Sequence, residues 1–152
     1  MKNKNGFTLI EILIVMAIIA MLAAIVVVAI NPARQFAQAR NTQRWAAVNT
    51  ILNAVNQNMI DNKGVFTCAN PIPVTAKNIA DSTSDPAGVD LCGCLVPTYV
   101  ASMPYDPTAT GASYTDCTTY NAGYTILQSA TTGRITVAAP AAELGTTISA
   151  TR

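Results

Sequence analysis

The sequence predicts an α+β protein, in which a long N-terminal helix with a membrane half and an amphipathic half packs on a small antiparallel β-sheet head. Residues 7–30, `FTLIEILIVMAIIAMLAAIVVVAI`, form an apolar run. Apolar residues then recur at three- and four-residue spacing within residues 31–63. Short segments rich in Ile, Val, Thr and Tyr, bounded by Gly, follow near the C-terminus. Together these patterns favour a helix laid on a sheet.

The apolar run is long enough for a membrane helix. No charged residue lies between Glu11 and Arg34. As an α-helix this stretch would be about 33 Å long, which is enough to cross the hydrocarbon core of a bilayer. It is too long for an ordinary removable secretory signal, whose apolar region has about 7–15 residues. The two lysines of the leader `MKNKNG` favour a cytoplasmic N-terminus, although three arginines after the run nearly balance them.

Glu11 is the single carboxylate in this run. An acid inside a membrane helix costs roughly a few kcal/mol unless it lies at the interface or is paired. The positive end of the helix dipole would accommodate it near the helix start. That interpretation explains why an acid is tolerated. It does not explain why Gly6 directly precedes Phe7, with the acid four residues later.

The stretch `KNKNGFTLIEILIVMAIIAMLAAI` closely resembles the class III leader and helix of type IV pilins and type II secretion pseudopilins. The similarity comprises the short basic leader, Gly6 at the cut, Phe7 as the first mature residue, Glu11 as the fifth, and the apolar helix. The C-terminal half carries no motif of this kind. The resemblance implies the same pilin-like fold, with a long helix on an antiparallel sheet.

The resemblance also implies a mechanism. A membrane prepilin peptidase would cut between Gly6 and Phe7 and N-methylate Phe7. The helix would remain in the cytoplasmic membrane until an inner-membrane assembly platform adds it to a helical filament of identical and related pilins. The cationic amine of Phe7 would then lie near Glu11 of a neighbouring subunit. Because buried charges are tolerated only when paired, this pair would penalise wrong axial registers.

Two functions agree with this resemblance. The first is a structural subunit of a type IV pilus-like filament that serves adhesion, motility or DNA uptake. The alternative is a type II secretion or competence pseudopilin, which forms a short periplasmic pseudopilus that drives protein secretion. In both, a single-pass precursor with its N-terminus inside precedes an extracellular or periplasmic filament. The cysteines and the loop-rich head favour the pilus.

The amphipathic half has one apolar face, formed by Trp45, Val48, Ile51, Leu52, Val55 and Met59. Asn62 and Gly64 then provide a helix end. We predict one nearly continuous helix over residues 8–62, kinked at Pro32 because proline lacks an amide hydrogen. Alternatively, Asn31 caps a separate second helix with Pro32 in its first turn.

Arg40 and Arg44 stand four residues apart on one face of the amphipathic half. This spacing predicts a solvated or lipid-headgroup role for both side chains. An unselective phosphate patch for DNA is the less favoured interpretation.

The head is predicted to hold an antiparallel sheet. `GYTILQS` and `GRITVAA` are separated by `ATT` and predict a hairpin. `GTTISAT` would add a third strand near the C-terminus. The predicted organisation is a cleaved leader, a transmembrane helix, an amphipathic helix and a disulfide-bonded head, at residues 1–6, 7–30, 31–63 and 64–152.

Four cysteines, Cys68, Cys92, Cys94 and Cys117, predict disulfides in an oxidising compartment. Of the three possible pairings, a Cys92–Cys94 bond closes a strained, very small ring. Both remaining arrangements stay open, and either closes a loop of about two dozen residues that stabilises by about 3 kcal/mol. A zinc site is disfavoured because Cys-x-Cys is not the usual knuckle spacing, and `CGC` lacks the context of a redox dithiol.

The composition argues against an enzyme. The chain has no histidine, no Gly-rich phosphate loop and no nucleophile with a suitable base, so we predict no catalytic residue and no cofactor. A net charge of +1 argues against a nucleic-acid partner. No metal is predicted. Some pseudopilins hold calcium in a loop of the head, which makes Asp106 and Asp116 weak calcium candidates, but a turn-forming role is the ordinary use of such Asp residues.

Overall fold

The computed structural model describes residues 6–152, so Lys2 and Lys4 of the predicted leader lie outside the described part. The chain forms two compact units, an N-terminal unit that ends at Phe36 and a head unit, Ala37–Arg152. The elements, in chain order, are α1 (Leu9–Ile30), α2 (Pro32–Asp61), β1 (Lys77–Ala80), α3 (Cys92–Leu95), β2 (Ser113–Asp116), β3 (Thr119–Gln128), β4 (Ile135–Ala139) and β5 (Ile148–Thr151).

In the N-terminal unit, α1 is long and apolar enough to cross a membrane. None of its side chains is buried within the described chain. A 22-residue helix that is apolar all round has no stable place in water by itself. The helix therefore requires an apolar environment.

Asn31 divides the helix that the sequence predicts as nearly continuous. Its backbone is left-handed, with φ 47° and ψ 79°, which ends α1. The Asn31 carbonyl then accepts hydrogen bonds from the amides of Arg34 and Gln35, at 3.1 and 3.3 Å, and so begins α2. Pro32 takes the first helical position, where its missing N–H would be unpaired in any case. The structure therefore agrees with the alternative prediction, a separate second helix that Asn31 caps, and not with one nearly continuous helix.

Within the head unit, α2 buries a stripe whose members recur at alternating four- and three-residue spacing: Ala37, Asn41, Arg44, Val48, Ile51, Val55 and Asn58. The four predicted aliphatic residues are buried, three in this stripe and Leu52 beside it. Trp45 was expected in the buried face and is instead 40% exposed. The reason is geometric, because the stripe passes through Arg44 and leaves Trp45 at its edge.

The sheet has five strands in the order β1-β3-β4-β5, with β2 also paired to β3, and every pairing is antiparallel. The predicted hairpin is confirmed as β3–β4, with Thr125 opposite Ala138. The predicted C-terminal strand is β5. Because β1 and β4 pair with the same residues of β3, they occupy opposite edges, and β2 shares the β4 edge.

Alternate residues of β3 form the core against α2. Tyr120, Ala122, Tyr124 and Ile126 are all fully buried, whereas the residues between them are partly exposed. This period of two is what a strand with one buried face requires. The α+β fold class is therefore confirmed, with an apolar N-terminal helix followed by a small antiparallel sheet.

Candidate functional site

The start of α1 is a complete capping box. Thr8, the N-cap residue, has φ −80° and ψ 151°, and its hydroxyl oxygen accepts a hydrogen bond from the Glu11 amide at 3.3 Å. The Glu11 carboxylate accepts from the Thr8 amide at 3.0 Å and from the Thr8 hydroxyl at 2.9 Å. Reciprocal bonds of this kind satisfy amide groups that a helix start leaves without partners.

Gly6 and Phe7 precede this helix and form no regular secondary structure, and Phe7 is 84% exposed. The predicted cut therefore lies in accessible, non-helical chain, two residues before the first helical residue. The sequence prediction did not identify Thr8 as the residue that caps this helix. The signal was present, because Thr followed three residues later by Glu ahead of an apolar run is the sequence pattern of a capping box.

Comparison with known families places the same residues in one motif. Residues 1–27 match the family model described as a prokaryotic N-terminal methylation motif. The chain carries the type IV pilin and pseudopilin signature. The signature implies processing by a prepilin peptidase and assembly with other pilins, and with the apolar α1 it fits a membrane-anchored precursor. No curated protein and no solved structure matches the chain.

Pilins and pseudopilins are structural proteins, and the signature concerns only the N-terminal segment of this chain. In the head, a first set of buried polar contacts holds loops to α2, and further contacts hold α3 to the sheet.

The first set is an arginine cluster, formed by Arg40, Arg44, Asp106 and Glu143. The Arg44 side chain is fully buried and binds the equally buried Asp106 carboxylate, with Nε–Oδ2 2.7 Å and Nη2–Oδ1 3.1 Å. Its Nη1 also donates to Glu143 Oε2 at 2.8 Å. Arg40, which is half-buried, donates to both Glu143 oxygens, from Nη2 to Oε1 at 2.5 Å and from Nε to Oε2 at 2.6 Å. The prediction of a solvated or headgroup role is thus wrong for Arg44, because folding brings two distant acids against it.

The cluster keeps all its members charged. Burial would raise the pKa of the Asp106 carboxyl, but hydrogen bonds from Arg44 and from the amides of Thr108 and Ala109 outweigh it and hold that pKa below its ordinary value. Hydrogen bonds from Arg40 and then from Arg44 lower the pKa of Glu143 to about 2. The cluster therefore remains an ion network at neutral pH.

Two asparagines of the α2 stripe bind loop backbone in the same way. Asn41 donates to the Glu143 carbonyl at 2.8 Å and accepts from the Glu143 amide at 3.0 Å. Asn58 donates to the Thr67 carbonyl at 3.2 Å and accepts from the Thr67 amide at 2.9 Å. Each asparagine amide therefore pairs with both the N–H and the C=O of one loop residue. The sequence could have indicated this role, because both asparagines recur in register with the apolar residues of the buried stripe.

The cysteines pair as Cys68–Cys94 and Cys92–Cys117, with Cα–Cα distances of 5.5 and 5.2 Å. This is one of the two arrangements that the sequence left open. Both bonds converge on α3, so one short helix ties the loop after α2 to the turn between β2 and β3. The disulfides thus constrain the most loop-rich part of the head.

Besides the disulfides, the buried Tyr120 side chain also attaches α3 to the rest of the head. Its hydroxyl accepts hydrogen bonds from the amides of Leu91 and Cys92, at 3.0 and 3.3 Å, and donates to Asp90 Oδ1 at 2.8 Å. Its own amide donates to Asp81 at 2.8 Å. The start of α3 is therefore attached to the sheet by one side chain, which the sequence did not identify.

The two weak calcium candidates have other partners. Both oxygens of Asp106 bind Arg44, as described above. Asp116 lies at the end of β2, where its Oδ1 accepts from the Thr118 amide at 2.8 Å, from the Thr118 hydroxyl at 2.7 Å and from the Thr119 amide at 3.0 Å. Over residues 6–152, no group of three or more metal-binding side chains is present. The contacts of Asp106 and Asp116 are those of an ion pair and a turn.

Proposed function

We propose that this chain is a structural subunit of a type IV pilus-like filament, cut between Gly6 and Phe7 by a prepilin peptidase and assembled through α1. The filament would serve adhesion, motility or DNA uptake. The observation that carries the proposal is the methylation motif at residues 1–27 continuing into a 22-residue apolar helix with no buried side chain. Such a helix needs lipid before assembly and neighbouring helices after it.

Glu11 and Phe7 would be the assembly residues. The cut creates a cationic amine at Phe7, and Glu11 is the only acid of α1. In a bundle of apolar helices an unpaired charge is strongly unfavourable, so a subunit that pairs the two is retained in the correct register. Before assembly, the capping box satisfies the Glu11 carboxylate within its own chain.

A pseudopilin of a type II secretion or competence system shares the same motif and is the second candidate function. The two disulfides agree with either function, because the cell exterior and the periplasm are both oxidising and a loop-rich head benefits from covalent constraint in each. Deletion separates the two functions. Loss of long surface filaments would support a pilus, and a secretion defect without such filaments would support a pseudopilus.

Mass spectrometry of intact protein and of its N-terminal peptide tests the proposal directly. Sheared surface material and the membrane fraction would be compared. We expect a mature chain that begins at N-methylated Phe7, lighter by two hydrogens for each disulfide, and enriched in the sheared fraction. A chain that retains residues 1–6 in both fractions would contradict the proposal.

Gly6→Ala is expected to leave the uncut precursor in the membrane, because the added methyl group changes the residue at the proposed cut. Gly93→Ala is the matched control, since it adds the same methyl to an exposed position with nothing within 4 Å. The two mature masses would be compared in membrane fractions. Mature protein of normal mass from Gly6→Ala would count against this cut.

A further inference from the structure

The proposed cleavage site, the Gly6–Phe7 peptide bond, lies just outside α1. The chain enters the helix through Thr8, whose backbone is extended, while Gly6 and Phe7 are non-helical and exposed. Inside a helix, a peptide group is tied into hydrogen bonds along the axis and is screened by neighbouring turns. A peptidase must reach a peptide bond that is free of both constraints. The position of the helix boundary therefore determines whether the Gly6–Phe7 bond is accessible.

The capping box sets that boundary. The Thr8 hydroxyl occupies the Glu11 amide, and the Glu11 carboxylate occupies the Thr8 amide. Without the Thr8 hydroxyl, the Glu11 amide loses its hydrogen-bond partner. The first turn can then fray, or the helix can extend back through Phe7. Only a fraction of the molecules would then keep Gly6 and Phe7 in the non-helical conformation of the wild type.

We propose that Thr8 is a positioning residue for the processing cut: its cap fixes the start of α1 at Leu9 and so presents the Gly6–Phe7 bond in exposed, non-helical chain. This inference rests on the proposed function, because it requires the cut. It assigns different tasks to neighbouring residues. The Thr8 hydroxyl caps the Glu11 amide, which any residue at position 11 would retain, whereas the Glu11 carboxylate completes the capping box and also carries the charge proposed for assembly.

The test uses the full-length precursor in detergent micelles and a purified prepilin peptidase. Initial rates of leader removal would be measured by mass spectrometry over a range of precursor concentrations. Thr8→Val keeps the shape of the side chain and removes the hydroxyl. Thr8→Asn changes the shape and keeps the ability to cap. Thr42→Val makes the same exchange at an exposed position of α2, away from the proposed cut, and is the matched control.

We expect Thr8→Val to raise KM by about fivefold with kcat unchanged, because the cap's loss lowers the fraction of cleavable precursor. Thr8→Asn is expected to keep the KM of the wild type. Hydrogen exchange of the Glu11 amide, followed by NMR, should be slow in the wild type and Thr8→Asn and faster in Thr8→Val.

A wild-type KM for Thr8→Val would overturn the inference. Equal impairment of Thr8→Val and Thr8→Asn would also overturn it, since the peptidase would then be recognising threonine itself. Failure of the wild-type precursor to be cut between Gly6 and Phe7 is a separate result, which would refute the proposed function as well.

Discussion

At the scale of single residues, Tyr120 and Tyr124 are a natural pair. Both are fully buried on the same face of β3. The Tyr120 hydroxyl has three hydrogen-bond partners, whereas among the described residues the Tyr124 hydroxyl is buried without one. Burial raises the pKa of Tyr124 to about 12, so this hydroxyl stays neutral. The two side chains have the same shape and burial but different polar contacts.

Tyr120→Phe is expected to lower the free energy of unfolding by about 1–3 kcal/mol, because it leaves the buried Leu91 amide unpaired and removes one of the two acceptors of the Cys92 amide. Tyr124→Phe should change it by less than about 0.5 kcal/mol, since no bond is lost. Denaturant unfolding of the purified chain, followed by near-UV circular dichroism, would measure both. Equal costs would contradict the assigned role of the Tyr120 hydroxyl.

Substitutions of Glu11 distinguish its hydrogen bonds at the helix start from the role of its charge in assembly. Glu11→Ala and Glu11→Gln should both be cut normally, because the Thr8 hydroxyl caps a backbone amide that either variant keeps. Gln also preserves the reciprocal bond of the capping box but carries no charge. Both variants should nevertheless yield few filaments if pairing with the Phe7 amine selects the register. Sheared filament yield is the measurement, and a wild-type yield from Glu11→Gln would refute the role of the charge.

At the scale of elements, α2 organises the head through polar residues in its buried stripe. Asn41 and Arg44 reach loops that are far away in the sequence, Asn58 reaches the loop that follows α2, and all three hold these loops to one helix face. The arginine cluster joins the loops around Asp106 and Glu143 to α2. Because a charged group without a partner is very unfavourable in a protein interior, Arg44 is the critical member.

Arg44→Ala should cost about 3–5 kcal/mol of stability, since it leaves the buried Asp106 carboxylate unpaired. Arg40→Ala is the matched control on the same helix, and its partly exposed pair with Glu143 should contribute about 0–1 kcal/mol. Thermal and denaturant unfolding of both variants would give the difference. A loss from Arg40→Ala as large as that from Arg44→Ala would contradict the assignment.

At the scale of the whole molecule, the carboxylates of the arginine cluster and the hydrogen-bonded carboxylate of Asp81 make stability depend on pH. Glu143, Asp81 and Asp106 have pKa values in the folded protein below their ordinary values. The unfolded chain therefore binds more protons in acid than the folded chain does. The stabilisation is complete above the ordinary carboxyl pKa of about 4 and is lost as the pH falls towards 2.

We accordingly expect the melting temperature to be nearly constant from pH 7 to about pH 5 and to fall steeply below about pH 4. Glu143→Gln removes one contributing carboxylate, so its melting temperature should fall less between pH 5 and pH 3. Thermal unfolding at several pH values would measure both slopes. Identical slopes for the two proteins would show that Glu143 does not contribute.

Features determined by neighbouring residues could be predicted from the sequence alone. The apolar α1, the processing motif, the β3–β4 hairpin and β5 all depend on local composition and spacing. Short strands were expected among the loops after Gly64, but the positions of β1 and β2 were not predicted, because four residues such as `KNIA` carry too little alternation to distinguish a strand from a loop. Trp45 was misplaced for a related reason, because periodicity does not fix the centre of a buried face.

The sequence by itself determined the membrane-length helix, the processing motif before it and the even set of cysteines, because each can be read from the chain without knowledge of distant contacts. Only the tertiary structure decided which cysteines pair and that Arg44 is buried. Arg44 and Asp106 are 62 positions apart, and Arg44 and Glu143 are 99 apart. A charge is stable in a protein interior only beside its partner, and it is folding that brings such distant partners together.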